Sequence, residues 1–201
     1  GERHILKETA QAFRHVFKHK QIRLFLLAYW LYIDGVDTII RMAVDYGLAL
    51  GFGANDLIVA LLITQFVGFP AAILYTHLGD KIGVKPALVL GIVAYGVITL
   101  LGYGMESVWE FYMLAVMIGL VQGGVQALSR SFYARLIPVE RAAEYFGIYN
   151  MMGKAAAVLG PLLMGGVAVL TASHRYSILS ILVLFIAGLV LLMNVKVPDQ
   201  K

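Results

Sequence analysis

The sequence contains no cysteine, which excludes a disulfide framework and thiol chemistry. Charged residues are also scarce, at 14% of 201 residues, against roughly 25% in a typical soluble domain. No signal-peptide pattern opens the chain, because its first twenty residues are too charged for an apolar signal core. The first residue is glycine rather than methionine, so we expect a fragment or a trimmed product.

Hydrophobic residues make up 60% of the chain and form six long segments. Each can cross a hydrocarbon core of about 30 Å, which takes about 20 helical residues. The sequence therefore predicts an all-α membrane protein with a cytoplasmic helix at 1–21, a six-helix unit at 22–196 and a cytoplasmic tail at 197–201. The predicted membrane helices lie near residues 22–50, 55–77, 86–105, 108–132, 142–170 and 175–195.

The residues before the first apolar segment have the pattern of a basic amphipathic helix. Apolar side chains recur at helical spacing between lysines and arginines. Such a helix can lie in the headgroup layer of an anionic membrane or pack against the protein as a linker. His15 and His19 are four residues apart, but without a third ligand this spacing favours surface histidines over a metal site.

Lysine and arginine are distributed unequally between the two ends of the predicted helices. Thirteen lie in the N-terminal segment, in the links near 78–85 and 130–141, and in the tail, whereas the opposite links hold Arg175 alone. By the positive-inside rule both termini are cytoplasmic. The same asymmetry explains the net charge of +4, so the sequence gives no reason to expect nucleic acid as a partner.

A polar stripe crosses the first apolar segment. Its members Asp34, Asp37, Arg41 and Asp45 are spaced three, four and four residues apart, which places them within roughly 80° on one helix. Charged groups facing lipid at mid-membrane cost about 2.5–3.5 kcal/mol each. The stripe must therefore face other helices or water, either as a structural ion-pair cluster or as a functional site.

Polar residues also mark the second, fourth and fifth segments, whereas the third and sixth have no charged residue within the apolar span. We therefore predict that helices one, two, four and five line a cavity and that three and six face lipid. The candidates for substrate binding or coupling are Asp34, Asp37, Arg41, Gln65, Gln122, Gln126, Asn150 and Lys154.

Lys154 lies at the same predicted depth as Asp34. Each is twelve residues from the predicted cytoplasmic start of its helix, or about 18 Å into the membrane. An unpaired buried charge is costly, so we predict that Lys154 pairs with Asp34 or Asp37 in at least one state. Glycines in the fourth and fifth segments favour close helix packing. Pro161 is expected to weaken or kink the fifth helix.

The link at 76–85, Thr-His-Leu-Gly-Asp-Lys-Ile-Gly-Val-Lys, resembles the major facilitator superfamily signature G-x-L-x-D-R-x-G-R-K. Leu78, Asp80, Gly83 and Lys85 match it, and a lysine replaces the arginine that follows the aspartate. The sequence departs from the signature at the first position and at 84. The resemblance predicts a conformational gate at the cytoplasmic rim, made of Asp80, Lys81, Gly83, Lys85, Arg130, Arg135 and Arg141.

Three further stretches resemble one branch of this superfamily, the autophagy-related vacuolar amino-acid effluxers and their bacterial relatives. They are Tyr-Ile-Asp-Gly-Val-Asp-Thr at 32–38, Gly-Leu-Val-Gln-Gly-Gly-Val-Gln-Ala-Leu-Ser-Arg at 119–130, and Leu-Ile-Pro-Val-Glu-Arg-Ala-Ala-Glu-Tyr-Phe-Gly at 136–147. The resemblance covers essentially the whole chain. It implies the C-terminal half of a twelve-helix transporter.

This resemblance implies a secondary transporter of a small polar solute that works by alternating access. The candidate solute is an amino acid, with proton coupling through Asp34, Asp37 or Lys154. The implied partners are the lipid bilayer and either an N-terminal six-helix half or a second copy, with no cofactor and no metal. A bacterial inner membrane is favoured over a vacuole as the location.

Three other functions are alternatives to transport. A scaffold or receptor could use the same fold without transport, and it would tolerate neutral replacements of the intramembrane charges. A channel would need a selectivity filter, and none is obvious in the sequence. An enzyme is not expected, because the sequence has no evident nucleophile–base pair, metal-ligand cluster or phosphate loop.

Overall fold

A computed structural model describes residues 1–197, and within that range the chain forms helices and short links without a strand. A short 3₁₀ helix lies at Val139–Arg141. The predicted tail at 197–201 lies outside the described residues apart from Val197. The α-helices are α1 (Glu2–Val16), α2 (Lys20–Ala49), α3 (Ala54–Ile82), α4 (Val84–Tyr103), α5 (Val108–Leu136), α6 (Ala142–Ala155), α7 (Leu159–Thr171), α8 (His174–Leu179) and α9 (Leu182–Met193).

Five helical stretches are long and apolar enough to cross a membrane, as expected of an integral multi-pass membrane protein. They are α3, α4, α5, the stretch Val139–Thr171 that contains α6 and α7, and the stretch His174–Met193 that contains α8 and α9. The 30-residue helix α2 is the longest described, but its polar stripe keeps it out of this group. Its crossing of the membrane stays a prediction.

The helix ends differ from the predicted ones where no residue stops the helix. The second predicted segment continues to Ile82, so Lys81 is helical, and the chain turns only at Gly83, whose φ is +97°. The fourth continues to Leu136 and ends just before Pro138. The two basic links are therefore shorter than predicted, because Lys81, Arg130 and Arg135 belong to the preceding helices.

The fifth and sixth predicted segments are each divided into two helices. In the fifth, α6 ends at Ala155 and α7 begins at Leu159, with Ala157 at a φ of +65° between them. Pro161 lies in the first turn of α7, where its missing N–H leaves no hydrogen bond unmade. The expected distortion is therefore a complete break, located ahead of the proline rather than at it.

Helices α3 and α5 pack closely along a stripe of glycines on α5. A Cβ atom on Gly119 would lie 3.0 Å from the Thr64 carbonyl oxygen, and one on Gly123 would lie 2.7 Å from Ala72 Cβ. Small residues let two helix backbones approach to this distance. The α3–α5 pair is therefore close-packed, and α4 adds to it through the hydrogen bond from the Tyr75 hydroxyl to the Ala87 carbonyl, at 2.6 Å.

Helix α2 packs mainly against α9 and reaches α5, α6 and α7 with its other faces. The contact with α9 uses Gly188, where an added Cβ would lie 2.9 Å from Tyr32 Cβ. On the α5 side, the buried Tyr32 hydroxyl lies 2.6 Å from Ser129 Oγ. Helix α2 therefore contacts protein on several sides, and its residues Asp34 and Thr38 are fully buried.

Lys85 holds the C-terminal end of α9. Its Nζ donates to the Met193 carbonyl oxygen at 3.2 Å and to that of Val195, where the last helical carbonyls lack partners within the helix.

We expect Lys85→Met to lower the free energy of unfolding by about 0.5–1 kcal/mol, because a cation is lost from the C-terminus of a helix. Thermal unfolding in detergent measures this change. Lys81→Met is the matched control, because Lys81 is exposed at the end of α3 and should give an unchanged midpoint. Equal midpoints for Lys85→Met and the wild type would contradict the capping role.

Candidate functional site

A cavity of about 580 Å³ lies between α2, α5 and α6. Three charged side chains line it: Asp37 from α2, Arg130 from α5 and Lys154 from α6. The remaining lining residues are Tyr29, Ile33, Gly123, Gln126, Ala127, Tyr149, Asn150 and Gly153. No residue of α4, α8 or α9 lines the cavity. These helices correspond to the third and sixth predicted segments, for which no place in the cavity wall is predicted.

Helical spacing explains why these residues share one space. On α2, Tyr29, Ile33 and Asp37 follow one another at intervals of four and form one face. On α6 the neighbours Tyr149 and Asn150 are followed one turn later by Gly153 and Lys154. The charged member lies at the end of each set, so Asp37 and Lys154 line the cavity from two different helices.

Arg130 was predicted as part of the gate, and the structure places it in the cavity wall. Its guanidinium carbon lies 5.6 Å from the Phe146 ring centroid and 5.5 Å from that of Tyr149. Its Nη2 also donates to Asn150 Oδ1 at 3.4 Å. Cation–π contacts of this kind hold a guanidinium in place without neutralising its charge. Arg130 is therefore oriented and still charged beside the cavity.

Stacked tyrosines form the wall beside Arg130. The rings of Tyr29 and Tyr149 stack at 4.3 Å, and Tyr133 stacks on Tyr149 at 5.0 Å. Gly153 fits against this stack, because a Cβ there would lie 3.0 Å from the Tyr29 hydroxyl oxygen. Neither Tyr29 nor Tyr149 is among the site residues predicted from the sequence. Their signal was available, since Tyr29 lies eight residues, about two helical turns, before Asp37, and Tyr149 directly precedes Asn150.

Asp34 lies outside the cavity, whereas the polar stripe of α2 predicts that it shares a site with Asp37. It is fully buried, and its two carboxylate oxygens accept from the backbone N–H groups of Leu159 and Gly160, each at 2.9 Å. The Thr38 hydroxyl donates to the same carboxylate at 3.3 Å. Within residues 1–197 no ion pair joins Lys154 to Asp34 or Asp37, so that pairing stays a prediction for another state.

Three other predicted site residues also lie elsewhere. Arg41 is exposed beyond the cavity end of α2, and Gln65 is exposed on α3. Gln122 is half-buried on α5, one helical turn before the lining residue Gln126. Helix α3 consequently has no lining residue here, so the predicted contribution of the second segment is not seen in this cavity.

The predicted gate residues are divided between several surroundings. Asp80, Lys81 and Arg135 are exposed at the ends of α3 and α5. Arg141 pairs with Glu144 at 2.7 Å and donates to His15 Nε2 at 2.6 Å, which joins α1 to the start of α6. Among residues 1–197 neither arginine forms an ion pair with Asp80.

The side chains that line the cavity are suited to binding a small solute. They combine one carboxylate, two cations, two amides and the tyrosine stack, which suits a small solute with groups of both charges. In the part of the chain described, no three His, Asp or Glu side chains come together as a metal site would require.

Comparison with known proteins gives consistent matches over nearly the whole chain. The family model described as "Vacuole effluxer Atg22 like" matches residues 4–201. The chain is 41% identical over 194 residues to a Bacillus subtilis protein named "Uncharacterized MFS-type transporter YxiO", covering 96% of this chain and 45% of that protein. It is 30% identical over 202 residues to "Autophagy-related protein 22" of Yarrowia lipolytica, covering 94% of this chain and 34% of that protein. The chain thus spans less than half the length of either relative.

Proposed function

Because the chain belongs to the Atg22-like family of vacuole effluxers, we propose that it forms the C-terminal six-helix half of a secondary transporter. In this proposal α2, α3, α4, α5, the α6–α7 pair and the α8–α9 pair are the six spans. The distribution of lysine and arginine supports cytoplasmic termini. We propose an N-terminal six-helix half as the partner, with a second copy of this chain as the alternative, since the chain spans less than half the length of either relative.

The observation that carries the proposal is the charged cavity between α2, α5 and α6. Charged groups within membrane helices are costly and mark solute pathways. In the proposed twelve-helix protein this cavity faces the other half, and the solute is held between the two halves while they rock by alternating access. The chain then supplies one wall of the binding site.

The lining favours a zwitterion such as an amino acid. Asp37 is the group that binds an ammonium, and Arg130 and Lys154 are the groups that bind a carboxylate. Asn150 and Gln126 supply neutral hydrogen bonds. Proton coupling is proposed at Asp37, because it is the carboxylate that lines the cavity, whereas Asp34 has all its partners within the protein.

Transport by the complete twelve-helix protein in proteoliposomes tests the proposal. Uptake of labelled amino acids, with and without a pH gradient, is expected to be saturable and to depend on the gradient.

Residues 1–201 alone are expected not to transport, because half of the cavity is missing. Saturable transport by the purified fragment would show instead that two copies form the site. A cellular phenotype that survives neutral replacement of Asp37 and Lys154, with no transport of any solute tested, would favour a scaffold or receptor.

A further inference from the structure

The break between α6 and α7 leaves backbone groups that no helix satisfies. Helix α6 ends at Ala155, α7 begins at Leu159, and Ala156 and Gly160 on either side are buried. The last carbonyls of one helix and the first N–H groups of the next lack intrahelical partners. In a membrane interior water does not supply them, so each must find a partner within the protein.

Helix α2 supplies a partner for each side of the break. The Trp30 indole N–H donates to the Ala155 carbonyl oxygen at 3.3 Å, at the end of α6. The Asp34 carboxylate accepts from Leu159 N and Gly160 N, at the start of α7. The two side chains are four residues apart, so they project from α2 one above the other.

The polarity of these contacts matches the polarity of the helix ends. A carboxylate stands at the positive N-terminus of α7, and an N–H donor stands at the negative C-terminus of α6. Asp34 has no exposed surface. Its buried carboxylate is stabilised only while its three hydrogen-bond donors, Leu159 N, Gly160 N and the Thr38 hydroxyl, stay in place. Trp30 and Asp34 thus form a clamp on the break, which we call the α2 clamp.

Gly160 shows how closely the two helices fit at the α2 clamp. A Cβ atom on Gly160 would overlap the Thr38 hydroxyl and lie 2.9 Å from Asp34 Oδ1. Any side chain there would push α7 away from α2 and lengthen both carboxylate hydrogen bonds. The absence of a side chain at Gly160 therefore allows α7 to approach α2 closely enough for the Asp34 carboxylate to accept both hydrogen bonds.

The α2 clamp is adjacent to the charged cavity on both helices. Lys154 directly precedes Ala155, whose carbonyl oxygen Trp30 binds. Asp37, three residues after Asp34 on α2, lines the cavity. Fixing the break relative to α2 therefore fixes Lys154 relative to Asp37.

We propose that Trp30 and Asp34 are positioning residues of the transporter, which set the place of Lys154 in the cavity by clamping the break in the fifth span. This inference rests on the proposed function of that cavity. Asp34 contacts no solute in this arrangement. It acts through the position of α7 and of the last turn of α6.

Two measurements on the complete protein test the α2 clamp. The first is hydrogen exchange at the backbone amides of Leu159 and Gly160, which needs no solute. Asp34→Asn keeps the side-chain shape but leaves one acceptor oxygen for two N–H groups, so exchange there should rise at least about tenfold. Trp30→Phe removes only the indole donor and should raise exchange in the same segment by a smaller factor.

The second measurement is the KM for the transported solute. In both variants KM should rise at least about fivefold, with a smaller change in maximal rate, because Lys154 is displaced. In a Lys154→Ala background, Asp34→Asn should add no further rise in KM. Asp37→Asn serves as the control, because it should impair transport without changing exchange at Leu159 and Gly160.

The outcomes separate this inference from the proposed function. Unchanged exchange in both Asp34→Asn and Trp30→Phe would overturn the α2 clamp, whatever the transport result. Faster exchange with an unchanged KM would overturn the positioning of Lys154. A wild-type protein that transports nothing would refute the proposed function, and the exchange measurement would still decide whether α2 clamps the break.

Discussion

Replacing Gly124 with valine is expected to prevent the protein from reaching its folded state in the membrane. A Cβ atom at this position would overlap the ring of Tyr75 and lie 2.6 Å from Tyr75 Cβ. The ring has no room to move, because it is buried and its hydroxyl donates to the Ala87 carbonyl oxygen. Overpacking of a filled core costs about 1–3 kcal/mol, and valine adds two further methyl groups beyond Cβ.

The effect can be measured by the yield of monodisperse protein after extraction and by its unfolding midpoint in detergent. Gly165→Ala is the matched control, because a Cβ at Gly165 would meet nothing within 4 Å. Alanine is favoured over glycine within a helix by up to about 1 kcal/mol, so this control should be neutral or stabilising. A Gly124→Val protein as stable as the control would show that α3 and α5 are less tightly packed than described.

Neutralising Asp37 is expected to reduce transport at least about tenfold while leaving the fold intact. Asp37 is the carboxylate of the cavity, and losing a hydrogen bond to a charged group costs about 1.5–3 kcal/mol. It is half-buried and faces the cavity, so asparagine fits without strain. The maximal rate divided by KM, measured in proteoliposomes for Asp37→Asn, gives the size of the loss.

The same substitution at Asp45 provides the control. Asp45 lies two turns further along α2, is exposed and lines no part of the cavity, so Asp45→Asn should stay within about twofold of the wild type. The double variant Asp37→Asn with Lys154→Ala tests whether the two charges meet during transport. Strict additivity of the two losses would remove that contact from the mechanism.

The class of protein could be predicted from the sequence, because apolar length and lysine–arginine placement reflect the membrane directly. The all-helical architecture, the major facilitator branch and the multi-pass character are confirmed. Helix ends were less predictable. A polar residue such as Lys81 does not stop a helix, whereas Gly83 does, and only the structure shows which of several candidates acts.

Part of the candidate site could also be predicted. Asp37, Gln126, Asn150 and Lys154 do line one cavity, because helical periodicity places polar residues on one face. Their role in binding stays a prediction. The different place of Asp34 was not predictable, because Pro161 signals a distortion of the fifth segment but not a complete break at residues 156–158, after which the N–H groups of Leu159 and Gly160 reach Asp34. Pro161 cannot bond to the Ala157 carbonyl as a continuous helix would require, and contacts with α2 satisfy the backbone groups at the break.

The burial of Asp34 has a consequence for how the chain enters the membrane. Its two backbone partners come 125 and 126 residues later in the sequence. When α2 leaves the ribosome, the groups that satisfy this carboxylate have not yet been synthesised, and α2 is not among the helices apolar enough to settle in lipid by composition alone. If α2 crosses the membrane as proposed, its stable insertion is expected to wait for α7, because a nascent chain that ends before Leu159 leaves the Asp34 carboxylate without either backbone partner.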